Sequence, residues 1–190
     1  SFGKSFICLD DKNNKEIIKK IKNKNFYTYG IDKNSQFQIA SINYSKNLSK
    51  FIIKIRLPGK KKTIIKNLKT PLLGVHNVRN AAAAAAVCFN IGIPKSKIRK
   101  GLAEFKGVQR RFNWLFNYKN SIFFDDYAHH PTEIEASLKA LRDLSKRRII
   151  TVVQPHRFSR IKQTSDKFSK SFKNSNFVIV LPIYAAGENK

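Results

Sequence analysis

Short apolar runs separated by an amphipathic stretch open the chain. Residues 6–9 form an apolar run that predicts a strand, Ile17, Ile18 and Ile21 fall on one side of a helical stretch, and residues 26–29 predict a second strand. This reads as the end of an α/β sheet. Apolar and polar positions then alternate at 37–44, 51–57 and 63–68, with Pro58 and Gly59 as a turn, which predicts a small antiparallel appendage. A helix is expected from Asn77, a residue able to cap it, and Ala81 to Ala86 give that helix a small-residue face for close approach to a sheet. Gly92 suits the left-handed residue that ends it. Pro94 opens the next helix, with Ile98, Leu102 and Phe105 on one face, and Gly107 closes the pair.

Beyond a boundary placed near 107–112 the pattern changes. Strands are predicted at 113–118 and 121–124 around a Lys119-Asn120 turn, then a helix from Pro131 with Ile134, Leu138 and Leu141 in register. A strand at 149–153, a helix at 165–172 and a strand at 177–181 follow. Strand, helix, strand, helix, strand implies parallel pairing with right-handed crossovers. The fold class expected is therefore α/β, in two parts, 1–108 and 109–190.

Charge changes the picture little. The 38 Lys and Arg against 12 Asp and Glu give +26, enough to draw polyanions to the surface, so a basic nucleic-acid-binding module is the rival reading. The cations are mostly Lys scattered among Asn and Ile, as at Lys60, Lys61, Lys62 and at Lys95, Lys97, Lys100, without interleaved aromatics. No specific nucleic-acid partner is expected from such a distribution. Cys8 and Cys88 lie in apolar runs without metal-ligand spacing, and no apolar run reaches the ~20 residues that span a bilayer. Buried thiols, no membrane partner, no metal ligands and a cytoplasmic location are the expectations. The chain contains no Met, opens at Ser1-Phe2 and stops at Asn189-Lys190, which reads as an internal segment of a longer protein.

The chemistry collects in three predicted loops at the carboxyl ends of strands, where open α/β sheets bind ligands. They are 125–130, 154–160 and 182–188, and they hold His129, His130 and His156, three of the four His, with Arg157, Arg160, Asp125, Asp126, Tyr127, Tyr184 and Glu188. Arg157 and Arg160 can fork onto carboxylate or phosphate oxygens at any working pH. Asp126 can accept hydrogen bonds from sugar hydroxyls, and His129 or His156 can donate to a carboxylate or handle a proton. The plainer alternative is that Asp125 or Asp126 caps the following helix, His130 packs on Pro131 and Arg157 makes a surface pair. Upstream, GVHNVRN places His76, Asn77 and Asn80 at a helix start, and the donor and acceptor of an Asn amide suit an adenine edge. Arg110 and Arg111 sit at the expected boundary, within possible reach of a nucleotide phosphate or simply solvated.

Taken in order, GVHNVRNAAAA, GVQRRF, DDYAHHPTEI, QPHRFSR and IYAAGE resemble the Mur ligases, with CLDD and TYG as weaker points of likeness earlier in the chain. The resemblance implies the latter half of a central ATPase domain followed by an incomplete Rossmann-like carboxyl-terminal domain. It also implies an ATP-dependent amide ligase that phosphorylates the carboxylate of UDP-N-acetylmuramate and joins it to L-alanine with Mg²⁺; a sister ligase using another amino acid or peptide is the near alternative. Carried over by motif, His76, Asn77 and Asn80 lie on the adenine side, Arg111 contacts the nucleotide and Asp126 the ribose. Tyr127, Ala128, His129, His156, Arg157 and Arg160 bind the amino acid and nascent amide, the last four being the catalytic candidates. Ala128 stands where the family often has Gly. No glycine-rich Lys-Ser/Thr phosphate loop occurs in the sequence, so no turnover is expected from this chain by itself.

Overall fold

The computed structural model describes residues 3–22, 25–45 and 48–189. The chain divides into two compact units, Ser1–Lys106 and Gly107–Lys190.

The first unit is built on one five-stranded sheet in chain order: β1 (Ser5–Cys8), β2 (Phe26–Gly30), β3 (Phe37–Ser45), β4 (Leu48–Ile55) and β5 (Thr63–Thr70). The pairs β1–β2 and β2–β3 are parallel and the rest antiparallel. The expected separate appendage is thus a continuation of the same sheet. Two residue pairs, Tyr29 with Phe37 and Gly30 with Gln38, make the join, which is too short to leave a trace in the hydrophobic pattern. In β4 the alternation is regular, with Ser49, Phe51, Ile53 and Ile55 buried. In β5 it slips by one, because Asn67 at φ 59° forms a bulge between the pairs Phe51–Leu68 and Ile53–Ile65.

Helix α1 (Lys12–Lys20) is capped by Asp11, whose carboxylate accepts from the amides of Asn13 at 2.7 Å and Asn14 at 3.1 Å. Its apolar side is only loosely covered, with Ile17 exposed. Helix α2 (Val75–Asn90) lies on the sheet through Val78, Ala81, Ala82, Ala85 and Ala86, all buried. It starts two residues before the expected Asn77. Gly74 is the cap residue, at φ 93°, and the Asn77 amide donates instead to the Leu73 carbonyl at 2.8 Å. Gly92, at φ 89°, ends the turn as expected. Helix α3 (Lys95–Glu104) buries Ile98 but stops short of Phe105, which is extended and exposed. The centre of the core is Phe37, fully buried against the rings of Phe6, Tyr27 and Phe89.

The second unit has two short ladders. Strands β6 (Asn113–Tyr118) and β7 (Ser121–Asp125) form an antiparallel hairpin, and β8 (Ile150–Val153) pairs parallel with β9 (Phe177–Val180). The sequence pattern predicts β7 beside β8 in one parallel sheet; among the described residues β7 pairs with β6 alone. The two-residue turn favours local pairing, and rings within the hairpin reinforce it: Phe116 stacks on Phe123 at 4.6 Å and Phe112 on Phe124 at 5.0 Å. Helix α4 (Pro131–Leu144) packs Ile134 and Leu138 onto Val153, with Ala128, Leu141, Phe168 and Phe172 around them. Helix α5 (Phe158–Lys170) begins seven residues earlier than its periodicity predicts. That shift places Arg160 in its first turn.

Candidate active site

Three loops meet at one end of the second unit. The first follows β7, the second β8 and the third β9. Backbone hydrogen bonds lace the last two together beyond the strands: Leu181 N donates to Val153 O at 2.9 Å, Tyr184 N to Pro155 O at 2.8 Å, and Arg157 N to Tyr184 O at 2.8 Å. His156 and Tyr184 form a parallel bridge there. Side-chain rings then bridge all three loops. Tyr127 meets His129 at 5.0 Å between centroids, His129 meets His156 at 5.6 Å, and His156 meets Tyr184 at 5.3 Å.

The first loop is shaped by two carboxylates. Asp126 accepts from the Ala128 amide at 3.2 Å and, through its other oxygen, from the Ser137 hydroxyl on α4. Glu133 accepts from the amides of His129 and His130, both at 3.2 Å, and from Arg111 Nη1 at 3.3 Å. Burial pushes the Glu133 carboxyl up, but these amides and Arg111 outweigh it and hold the group below its ordinary range. The α4 cap is His130, whose Nδ1 accepts from the Thr132 amide at 3.3 Å, so neither Asp125 nor Asp126 caps that helix. Arg110 lies over the Tyr127 ring at 5.0 Å, and the Tyr127 amide donates to its carbonyl at 2.7 Å.

The second and third loops share a clasp. Glu188 accepts from the Ser159 hydroxyl at 2.5 Å and the Ser159 amide at 3.0 Å, capping the start of α5 from the far end of the sequence. The Ser159 hydroxyl and amide hold the Glu188 carboxyl below its ordinary range. Arg157, the residue before α5, is held at φ 70°, a conformation rare for a side chain with a Cβ. Arg160 Nη1 reaches His156 Nδ1 at 3.4 Å. His156 therefore takes the tautomer with the proton on Nε2. His129 is arranged the opposite way, its Nδ1 lying 2.8 Å from the Tyr127 carbonyl, so that in the neutral ring the proton sits on Nδ1.

Partial desolvation, then the charges of Arg160, His129 and Arg157, hold the His156 imidazole below its ordinary range; Glu188 opposes them weakly. A group depressed in the folded state favours folding above its unfolded value, and that contribution is lost as pH falls through the folded value. The ring is expected to be neutral at pH 7, with an NMR titration midpoint below that of free imidazole. Arg160→Ala should move the midpoint upward, and an unchanged midpoint would show that Arg160 does not set it.

The predicted residues Asp126, Tyr127, Ala128, His129, His156, Arg157 and Arg160 are thus gathered by one rim, with Arg111 tied to it through Glu133. His76, Asn77 and Asn80 belong to the first unit, in the opening turns of α2. Asn80 is exposed and its amide makes no hydrogen bond among the described residues. The reach of Glu133 was missed in the sequence, although Glu three residues after a capping position is a recognised signal. Ser137 gave no signal at all.

The Mur ligase middle domain matches residues 2–88, and the Mur ligase, glutamate ligase domain matches residues 110–190. A UDP-N-acetylmuramate–L-alanine ligase of Pelagibacter ubique is 54% identical over 189 residues, covering 99% of this chain and 41% of that protein. The enzyme of the same name from Brucella anthropi is 40% identical over 99% of this chain and 40% of its own length. The chain thus spans about two fifths of the relatives it matches. Among solved structures, the UDP-N-acetylmuramate–alanine ligase of Thermotoga maritima superposes with a TM-score of 0.67 at 28% identity, covering 85% of this chain and 35% of that one. A Mur-type ligase of Acinetobacter baumannii, at 0.69 and 19% identity over 97% of this chain and 43% of that one, shares the fold.

Proposed function

This chain belongs to the Mur ligase family, and from that premise we propose that it is part of an enzyme joining L-alanine to the carboxylate of UDP-N-acetylmuramate at the expense of ATP, in the cytoplasm, for peptidoglycan synthesis. The observation that carries the reading is the rim where His129, His156, Arg157 and Arg160 converge from two different loops. The relatives in Pelagibacter and Brucella, named for that reaction, support the choice of alanine over another amino acid. Free thiols at Cys8 and Cys88 suit a reducing compartment, and among the described residues no helix is long and apolar enough to cross a membrane.

The reaction has two steps. The substrate carboxylate oxygen takes the γ-phosphoryl group of ATP, releasing ADP and leaving an acyl phosphate. The alanine amine then attacks the acyl carbon, the bond to the phosphate oxygen breaks, and the amine gives up a proton as the amide forms. Arg157 and Arg160 hold anionic oxygens, of the alanine carboxylate or the departing phosphate. His156, neutral and with its proton on Nε2, donates to a carboxylate. His129, in its neutral form with Nδ1 on the Tyr127 carbonyl, has Nε2 to take the ammonium proton. Tyr127 and Ala128 border the substrate through the loop that Asp126 and Glu133 shape.

For the nucleotide, the family resemblance assigns Asp126 to the ribose hydroxyls and Arg111 to a phosphate in the second unit, and His76, Asn77 and Asn80 to the adenine in the first. Mg²⁺ is implied by the family, but no group of three His, Cys, Asp or Glu that could hold a metal occurs among the described residues, so no step here runs through it. The test joins this segment to an upstream part bearing a phosphate loop and measures phosphate release with and without L-alanine. Release that depends on alanine supports the reading. Dependence on a different amino acid or peptide would favour a sister ligase, and release indifferent to any of them would overturn it.

A further inference from the structure

Three strings that the proposed reaction leaves partly unused, CLDD, TYG and the arginine of GVHNVRN, converge on one carboxylate. Asp10, just beyond β1, has a side chain only 9% exposed. It accepts from the Ile31 amide at 2.9 and 3.1 Å, from the Asp32 amide at 2.9 Å and from Arg79 Nε at 2.6 Å. Gly30 makes room for it: at φ 143° it has no Cβ, and one placed there would lie 2.7 Å from Asp10 Oδ1. The strand ends β1 and β2 are thereby locked together, and Arg79 ties the second turn of α2 to them.

We propose that Asp10 and Arg79 are positioning residues for the nucleotide, fixing the rotation and axial position of the α2 start that presents His76, Asn77 and Asn80. The physical need comes from the helix itself. Its buried face is almost all Ala, and apolar burial against a sheet is non-directional, so that face stabilises the docking of α2 without fixing which way its first turn points. A charge-assisted bond from Nε to a carboxylate already pinned by three amide contacts is directional. Arg79 stands next to Asn80 in sequence and two residues from Asn77, so its anchor sets where both amides lie. Of the two asparagines, Asn77 is held by its bond to Leu73 O, whereas Asn80 depends on the helix for its aim.

This inference rests on the reading that the α2 start holds adenine, and the experiment separates the two. In the full-length ligase carrying this segment, kinetic constants for ATP and for L-alanine are measured for Arg79→Gln, Arg79→Lys, Asp10→Asn and Asn80→Ala. Arg79 is partly exposed, so its variants should fold. Arg79→Gln is expected to raise KM for ATP about five- to tenfold, the range of a coupled pair, with kcat at saturating ATP and KM for alanine within about twofold of the parent. Arg79→Lys should recover most of the loss, and Arg79→Gln combined with Asp10→Asn should be no worse than either alone. If Asn80→Ala raises KM for ATP while Arg79→Gln changes only thermal stability, the positioning role is overturned and the adenine reading stands. If Asn80→Ala leaves KM for ATP unchanged, the adenine reading fails and takes this inference with it.

Discussion

Arg157→Ala and Arg160→Ala, each introduced into the joined ligase, are expected to lower kcat/KM for alanine-dependent phosphate release by about 100-fold or more, the effect of removing one preorganised charge-stabilising donor. The two guanidinia are held by unlike means. Arg157 is fixed by its backbone, at φ 70° with its amide bonded to Tyr184 O. Arg160 is fixed by the first turn of α5 and by His156. Because Arg160→Ala also releases His156 toward its ordinary titration range, its pH–rate profile should shift as well as fall, whereas that of Arg157→Ala should shift less. Arg160→Lys keeps the charge and loses the fork, so an intermediate rate is expected. Full activity in both alanine variants would remove the anion role.

Phe37→Ala is expected to destabilise the first unit by about 3–5 kcal/mol, the usual cost of emptying a buried aromatic site. Phe37 is fully buried at the join between β2 and β3, and three rings meet it at 5.9 to 6.1 Å. The rings come from β1, β2 and α2, so collapse around the cavity would have to move three elements at once, which keeps the expected loss near the upper end. Urea unfolding of the chain followed by circular dichroism measures it; a loss below about 1 kcal/mol would mean that the four-ring cluster does not hold the sheet and α2 together.

The positions of the elements were mostly legible from periodicity, and the exceptions have local causes. In helix α5 the apolar period is clear only around Phe168 and Phe172, so the pattern predicts a start near 165. Its true start depends on a cap that Glu188 supplies from 29 positions away, which no local pattern contains. Asn is a good cap and predicts a start of α2 at Asn77, yet Gly74 takes the cap position at φ 93° and the Asn77 side-chain amide donates to the Leu73 carbonyl. The expected parallel pairing of β8 holds with β9 but not with β7, because period-two alternation says which face a strand buries, not which strand lies beside it.

What the amino-acid sequence determined by itself is the family, the α/β class, and the set of residue types at three loops, since these depend on short strings and on periodicities of two and 3.6 that are local properties of a chain. What only the tertiary structure decided is how those residues act on one another. It set Nδ1 of His129 against Tyr127 O and Nδ1 of His156 against the Arg160 guanidinium. It tied Arg111 to the His129 loop through Glu133, and it brought Asp10, Gly30 and Arg79 to one carboxylate across 69 positions of sequence. Hydrogen bonds and tautomers are fixed by distances of about 3 Å between groups far apart in the chain, and such distances exist only once the strands have paired and the helices have docked.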